Sequence, residues 1–215
     1  MAILLGHRGS PHQAPENTIE SFRLAIAAGA AGFEFDVRRS SDGCLVIVHD
    51  PYRRVPRAGR LSVSKHPAAA LGLPLLDDVL PAFPGAWLDI EMKVAGIEES
   101  VIDLAHRLLD PRRFVITSFH ARSVREVKRL SPATPAGWLF KRTLITLPKW
   151  ADAPQLDYLC PHYSVLTRRL VRMARMRGLK LVTWTVDRPA TLRRVIALGA
   201  DVVITNYPEK YANSF

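Results

Sequence analysis

The chain has 215 residues, 48% of them hydrophobic and 23% charged, which fits one soluble globular domain over residues 1–215 with a sizeable core. Its two cysteines, Cys44 and Cys160, exclude a disulfide framework, and its longest N-terminal apolar stretch, Ala2 to Leu5, is far too short for a signal core or a membrane span. The formal charge of +10 attracts polyanions and steers small phosphates, but the basic residues are dispersed; the densest run, 168–177, interleaves with Leu170, Val171, Met173, Ala174 and Met176 as the solvated face of an amphipathic helix. A cytoplasmic protein with neither stable membrane insertion nor a nucleic-acid partner is the resulting expectation.

Taken in order, the first strand-like run is Ile3–Gly6, followed by a helix at Thr18–Ala28. Asn17 stands where a cap belongs, with Glu20 three residues on as in a capping box. The next strand, Gly32–Val37, is separated from a second apolar run, Leu45–Val48, by only Arg38–Cys44, and Asp42-Gly43 signals a tight turn, so the two read as a β-hairpin. Centring the turn on 42 and 43 pairs positions whose numbers sum to 85 and sets Asp36 opposite His49. Residues 50–72 hold Pro, Gly and many basic side chains without clear periodicity and read as a loop over the mouth of the fold. Strands Ala86–Met92, Phe114–Ser118, Ala136–Phe140, Tyr158–Pro161, Leu179–Thr185 and Val202–Thr205 then alternate with helices at Leu76–Ala82, Glu98–Leu109, Ala121–Leu130, Thr146–Ala151, Thr167–Arg177 and Pro189–Leu198. Eight strands alternating with helices predict an α/β fold of the closed (β/α)8 TIM-barrel kind, with a hairpin excursion after the second strand and chemistry at the C-terminal strand ends.

The residues at those ends carry the chemistry. Glu34 and Asp36 lie two apart on one strand, so both leave the same face toward the barrel axis; Asp89, Glu91 and Lys93 repeat the pattern on another. Bare carboxylates inside a barrel are costly unless a cation or hydrogen bonds satisfy them, and Glu34, Asp36 and Glu91 make an all-oxygen set suited to one Mg²⁺ or Ca²⁺. His7 and His49 suit a general acid and base, and Arg8 and Lys93 suit phosphate oxygens. His12, His66, His106, His120 and His162 lack such company, although His120 and His162 follow predicted strands.

These motifs make the chain resemble the glycerophosphodiester phosphodiesterase family. It has His-Arg-Gly at 7–9, Ala-Pro-Glu-Asn-Thr at 14–18, Glu-x-Asp at 34–36, His-Asp at 49–50, Glu-x-Lys at 91–93, Ser-Phe at 118–119, Trp-Thr-Val at 184–186 and Ala-Asp-Val-Val-Ile-Thr-Asn-Tyr-Pro at 200–208, in order and across nearly the whole chain. The resemblance implies a (β/α)8 barrel that hydrolyses glycerophosphodiesters, such as deacylated phospholipids, to glycerol 3-phosphate and an alcohol. By position, His7 and His49 would be the acid/base pair, and Glu34, Asp36 and Glu91 would hold the divalent cation. Arg8 and Lys93 would take the phosphate, Trp184 would wall the substrate pocket, and Glu16 and Asn17 would support the site. On its own, Trp184 reads equally as barrel packing.

The chain departs from the family pattern in two places. Family members commonly carry a longer insertion after His-Asp with an Arg-Thr-x-x-Gly-type segment, whereas here 51–73 is short and reads Arg53-Arg54-Val55-Pro56-Arg57; Asp187 and Asn206 replace the usual Asn and Asp. Two other readings stand beside the diesterase. One is a lysophospholipase D acting on single-chain lipids; the other is a nucleic-acid-binding protein with an inert barrel, which the set His7, Glu34, Asp36, His49 and Glu91 disfavours. The partner expected is a small-molecule phosphodiester, and the assembly a monomer or homodimer, since no exposed apolar stripe stands out.

Overall fold

Strict alternation of apolar and polar side chains on two neighbouring strands explains how the core and the site share one sheet. On the strand Gly32–Arg39, Phe33, Phe35 and Val37 face outward into the layer of helices, and on Trp87–Met92, Leu88, Ile90 and Met92 do the same. The intervening Glu34, Asp36, Asp89 and Glu91 are therefore turned to the barrel axis. Phe33 stacks on Phe22 with ring centroids 4.1 Å apart and meets Phe83 edge-on. Each such buried ring contributes roughly 1.5–3 kcal/mol, which is what holds the acids inside.

In the computed structural model, which describes residues 2–151 and 155–212, the elements run β1 (Ile3–His7), α1 (Ile19–Ala27), β2 (Gly32–Arg39), β3 (Leu45–Ile47), β4 (Tyr52–Val55), β5 (Gly59–Ser62), α2 (Ala68–Leu71), α3 (Leu76–Ala82) and β6 (Trp87–Met92). They continue as α4 (Glu98–Leu108), β7 (Phe114–Ser118), α5 (Ala121–Leu130), β8 (Ala136–Phe140), β9 (Tyr158–Pro161), α6 (Arg168–Arg175), β10 (Lys180–Thr183), α7 (Pro189–Leu198), β11 (Val202–Thr205) and α8 (Pro208–Tyr211). The sheet order is β1-β11-β10-β9-β8-β7-β6-β2-β3, and a β1–β2 pairing closes the eight parallel strands into a barrel, with β3 attached antiparallel to β2. This is the expected (β/α)8 barrel with its hairpin excursion. Leu5, Val115, Leu139, Cys160, Val182, Val202 and Ile204 fill the barrel interior, and the larger core lies between sheet and helices.

Four local expectations are corrected. The cap of α1 is Thr18, whose hydroxyl accepts the Ser21 N–H at 3.2 Å, while Asn17 sits just outside at φ +59° and turns its amide into the barrel. The hairpin register is displaced by one residue: Val37 pairs with Ile47, and the Val48 N–H donates to Asp36 O, so Asp36 faces Val48 rather than His49. The cause is a loop of 41–43 instead of a two-residue turn, closed by Ser40 N–H to Cys44 O and ending in Gly43 at φ +88°, a left-handed position that glycine fills without strain. Residues 50–72 are not irregular; they contain the β4–β5 hairpin, a separate two-stranded sheet, a 3-10 turn at Val63–Lys65, and α2. No helix forms over Thr146–Ala151, where Pro148 lacks an amide donor and biases Leu147 away from helical geometry, leaving an isolated Ala151 N–H to Pro148 O turn.

Candidate active site

Parallel register sets the carboxylates side by side. His7 is level with Glu34, Glu34 with Asp89, and Asp36 with Glu91, so β1, β2 and β6 present one belt of polar groups at their C-terminal ends. Glu34, Asp36, Asp89 and Glu91 are all buried. Around them stand two cationic side chains. Arg8 Nη1 grips both oxygens of Glu16 at 2.9 and 3.0 Å, and its Nε lies 3.2 Å from Asp36 Oδ2, while Lys93 Nζ lies 2.5 Å from Glu91 and 3.3 Å from Asp36.

The turn after β1 explains how Arg8 reaches that position. Gly9 packs so closely on α1 that a Cβ there would stand 2.4 Å from Ser21 Oγ, and with Arg8 at φ +55° the chain doubles back beneath the barrel mouth. The Arg8 amide then donates to Glu34 Oε2 at 3.0 Å, and the Asn17 amide donates to Asp36 Oδ2 at 2.9 Å.

Electrostatics divide the acids by their partners. Burial pushes Asp36 upward, but Arg8, Lys93 and the Asn17 amide outweigh it and hold the carboxyl below its usual range. Glu34 is driven well above its usual value by burial and by Asp36, Glu91 and Asp89. Burial and Asp36 raise Glu91 to about 7 against the pull of Lys93, and burial raises Asp89 to about 8 against the 2.6 Å donor from Thr117.

A hard cation fits this arrangement. Glu34, Asp36 and Glu91 each offer one oxygen, all within 4.8 Å of one another, and Glu34 Oε1 is buried without a hydrogen-bond partner. Four buried carboxyls facing two cationic side chains also leave negative charge that a divalent ion would balance.

His7 is held from behind by a relay that the sequence reading did not include. Asp187 Oδ2 can only accept, so it takes the Asn206 amide N–H at 2.7 Å; this turns Asn206 Oδ1 toward His7 Nδ1, also at 2.7 Å. His7 must therefore donate from Nδ1, which leaves its Nε2 lone pair aimed into the barrel, 3.8 Å from Glu34 Oε2. Burial and the neighbouring Arg8 hold the imidazole below its usual value. The available signal was positional: Asp187 and Asn206 follow the C-terminal ends of adjacent strands β10 and β11.

His49 makes no hydrogen bond to this cluster but lies near enough to act electrostatically on Asp36. It follows β3, is half-buried, and pairs Nδ1 with Asp50 at 2.8 Å, while its carbonyl accepts Arg38 Nε. It shares with Glu16 and Asn17 the wall of a cleft of about 860 Å³. Trp184 lies half-buried after β10, with its indole N–H on Cys160 O at 2.9 Å and its ring against Phe119 and His162. It both packs the barrel top and borders the chamber containing His7, Glu34 and Glu91. Of the histidines outside the expected site, His162 thus joins the rim, His120 precedes α5, and His12 stacks on Tyr207.

The sequence matches the profile of the glycerophosphoryl diester phosphodiesterase family over residues 7–73 and 73–210. It is 31% identical to a glycerophosphodiester phosphodiesterase of Caldanaerobacter subterraneus subsp. tengcongensis, over 98% of this chain and 96% of that one. A Bacillus subtilis glycerophosphodiester phosphodiesterase is 28% identical over 97% and 85%. Among solved structures, an Oleispira antarctica phosphodiesterase in complex with the product sn-glycerol-3-phosphate superposes with a TM-score of 0.87 at 25% identity, covering 100% of this chain and 98% of that one. The glycerophosphodiester phosphodiesterase of Thermotoga maritima shares the fold, with a TM-score of 0.80 at 23% identity over 100% and 99%.

Proposed function

The chain belongs to the glycerophosphoryl diester phosphodiesterase family and is an enzyme of that class; from that premise we propose that it hydrolyses glycerophosphodiesters to glycerol 3-phosphate and an alcohol, using His7 and His49 as its acid/base pair. The observation that carries the reading is the Nε2 lone pair of His7, fixed by Asn206 and Asp187 beside the carboxylates Glu34, Asp36 and Glu91.

Those three carboxylates would hold Mg²⁺ or Ca²⁺, which when bound supplies a Lewis acid for a phosphoryl oxygen. Arg8 and Lys93 stand beside them with donors for the remaining phosphoryl oxygens, stabilising charge as it develops. Glu16 steadies the Arg8 fork and Asn17 steadies Asp36. One histidine removes the proton of the attacking hydroxyl and the other protonates the leaving alkoxide, each worth about 10²–10⁴-fold. Trp184 borders the reaction chamber, with Phe119 packed edge-on against its ring, and limits water beside it.

A small diester suits the site better than a single-chain lipid, because charged Glu16, Asp50, Arg53, Arg54 and Arg60 interrupt the apolar wall that Ile47, Val48, Pro51, Leu73 and Pro74 give the cleft beside it. None of the described helices is long and apolar enough to cross a membrane. The test is release of glycerol 3-phosphate from glycerophosphocholine and glycerophosphoethanolamine with Mg²⁺, Ca²⁺ or EDTA. Release with a cation and loss with EDTA are expected; no release from either diester under any cation contradicts the reading.

A further inference from the structure

The β4–β5 hairpin stands beside the cleft that leads to Asn17 and His49, and its charges are arranged as if awaiting a ligand. Arg54 and Arg60 are directly opposite each other in the antiparallel register, and Tyr52 lies two residues from Arg54, so all three share one face of the ribbon. That face lines the cleft. The Arg60 guanidinium rests over the Tyr52 ring at 3.9 Å, which fixes its plane. The base of the hairpin is tied by the Val63 N–H on Pro51 O at 3.0 Å.

Like charges directly opposite on a ribbon are destabilising, and a neighbouring carboxylate would relieve this. None is present: among the described residues, neither Arg54 nor Arg60 has a carboxylate within ion-pair reach. The two acids that line the same cleft are already engaged, Glu16 by Arg8 and Asp50 by His49. Two guanidinium groups on opposed positions of one ribbon face, lining one cleft with no internal counterion, supply donors suited to a phosphate or carboxylate.

We propose that Tyr52, Arg54 and Arg60 form a specificity subsite for a second anionic group, a phosphate monoester or a carboxylate, carried on the alcohol moiety of the diester. The inference rests on the phosphodiesterase reading for the scissile phosphate, which belongs at the carboxylates, and adds a second anion held at the hairpin. The preferred substrates are then glycerophosphodiesters with acidic head groups rather than neutral or cationic ones. The net charge of +10 acts in the same direction, drawing dianionic substrates toward the cleft.

The experiment compares two diesters that differ by one phosphate, glycerophosphoinositol and glycerophosphoinositol 4-phosphate, in the wild type and in the Arg54→Ala/Arg60→Ala protein. The expected wild-type ratio of kcat/KM, phosphorylated over unphosphorylated, is about tenfold or more, falling toward one in the double variant. A wild-type ratio near one, or a ratio the double variant leaves unchanged, overturns the proposal. Calorimetry of the same two ligands on His7→Ala protein, with and without the hairpin substitutions, separates this subsite from the catalytic reading. Preferential binding that needs the arginines, without turnover by the wild type, sustains the subsite and sinks the hydrolase. Arginine-dependent retention on phosphatidylserine vesicles together with equal handling of the two diesters overturns the subsite in favour of a membrane surface.

Discussion

The barrel mouth and the β4–β5 hairpin beside it both concentrate charge, but they treat it oppositely. In the mouth, Arg8 and Lys93 are each committed to carboxylates, and an amide or hydroxyl steadies Asp36 and Asp89 in turn. On the hairpin, Arg54 and Arg60 stand opposite each other in solvent, with no acid among the described residues within ion-pair reach. The mouth is held by eight parallel strands and the helices behind them, whereas the hairpin is a separate two-stranded ribbon. Groups proposed to perform the chemistry are thus fixed by the main sheet, while groups that would select the substrate ride on a small appendage whose residues can change without disturbing the core.

Breaking the mouth should have the largest effect. Asp36→Asn removes the carboxylate that both cationic side chains address, and kcat is expected to fall by about 10²–10³-fold or more in a steady-state assay. The relay behind His7 comes next. Asn206→Asp sets two carboxylates against each other and should cost about 10–100-fold in kcat with KM little changed, whereas Asp187→Asn/Asn206→Asp restores a complementary pair and most of the rate. Rescue by the double exchange is an outcome that simple misfolding would not produce.

Stability sharpens the contrast from the other side. Folding raises Asp89 to about 8 and Glu91 to about 7, so the folded chain keeps protons that the unfolded chain has lost. The stability of the protein in EDTA should therefore fall as pH rises from about 4 to about 8, read as Tm by calorimetry. Glu34→Gln removes a carboxyl that burial and its acidic neighbours drive well above its usual value, and is expected to raise the Tm in EDTA while abolishing the Tm rise caused by Mg²⁺ or Ca²⁺. On the hairpin the smallest change is expected: Arg54→Glu opposite Arg60 should stabilise the ribbon by about 0.5 kcal/mol, seen as slower amide exchange over 52–62.

How much of this was legible in the sequence follows the same division. The eight strands and the inward faces of Glu34, Asp36 and Glu91 were readable because strand periodicity and parallel register are imposed by the core. The Asn17 contact was half legible: the residue stood out at a helix start, but Thr18 took the cap and freed Asn17 to reach Asp36. The hairpin register slipped because Gly43 favoured a longer loop than the Asp42-Gly43 pair suggested. The relay through Asp187 and Asn206 was hidden because it joins two strand ends far from His7 in sequence. The ordered ribbon at 52–62 was hidden because its arginines do not alternate with buried residues, so no apolar period marked it.

The most direct test of the central claim measures kcat of His7→Ala and His49→Ala, with Mg²⁺ or Ca²⁺, on glycerophosphocholine and on the corresponding p-nitrophenyl diester. Both variants should lose about 10²–10⁴-fold on the choline diester, and only the variant lacking the general acid should recover on p-nitrophenol, which leaves without a proton. Two variants that stay within about tenfold of the wild type on glycerophosphocholine would contradict the assignment of these histidines to the reaction.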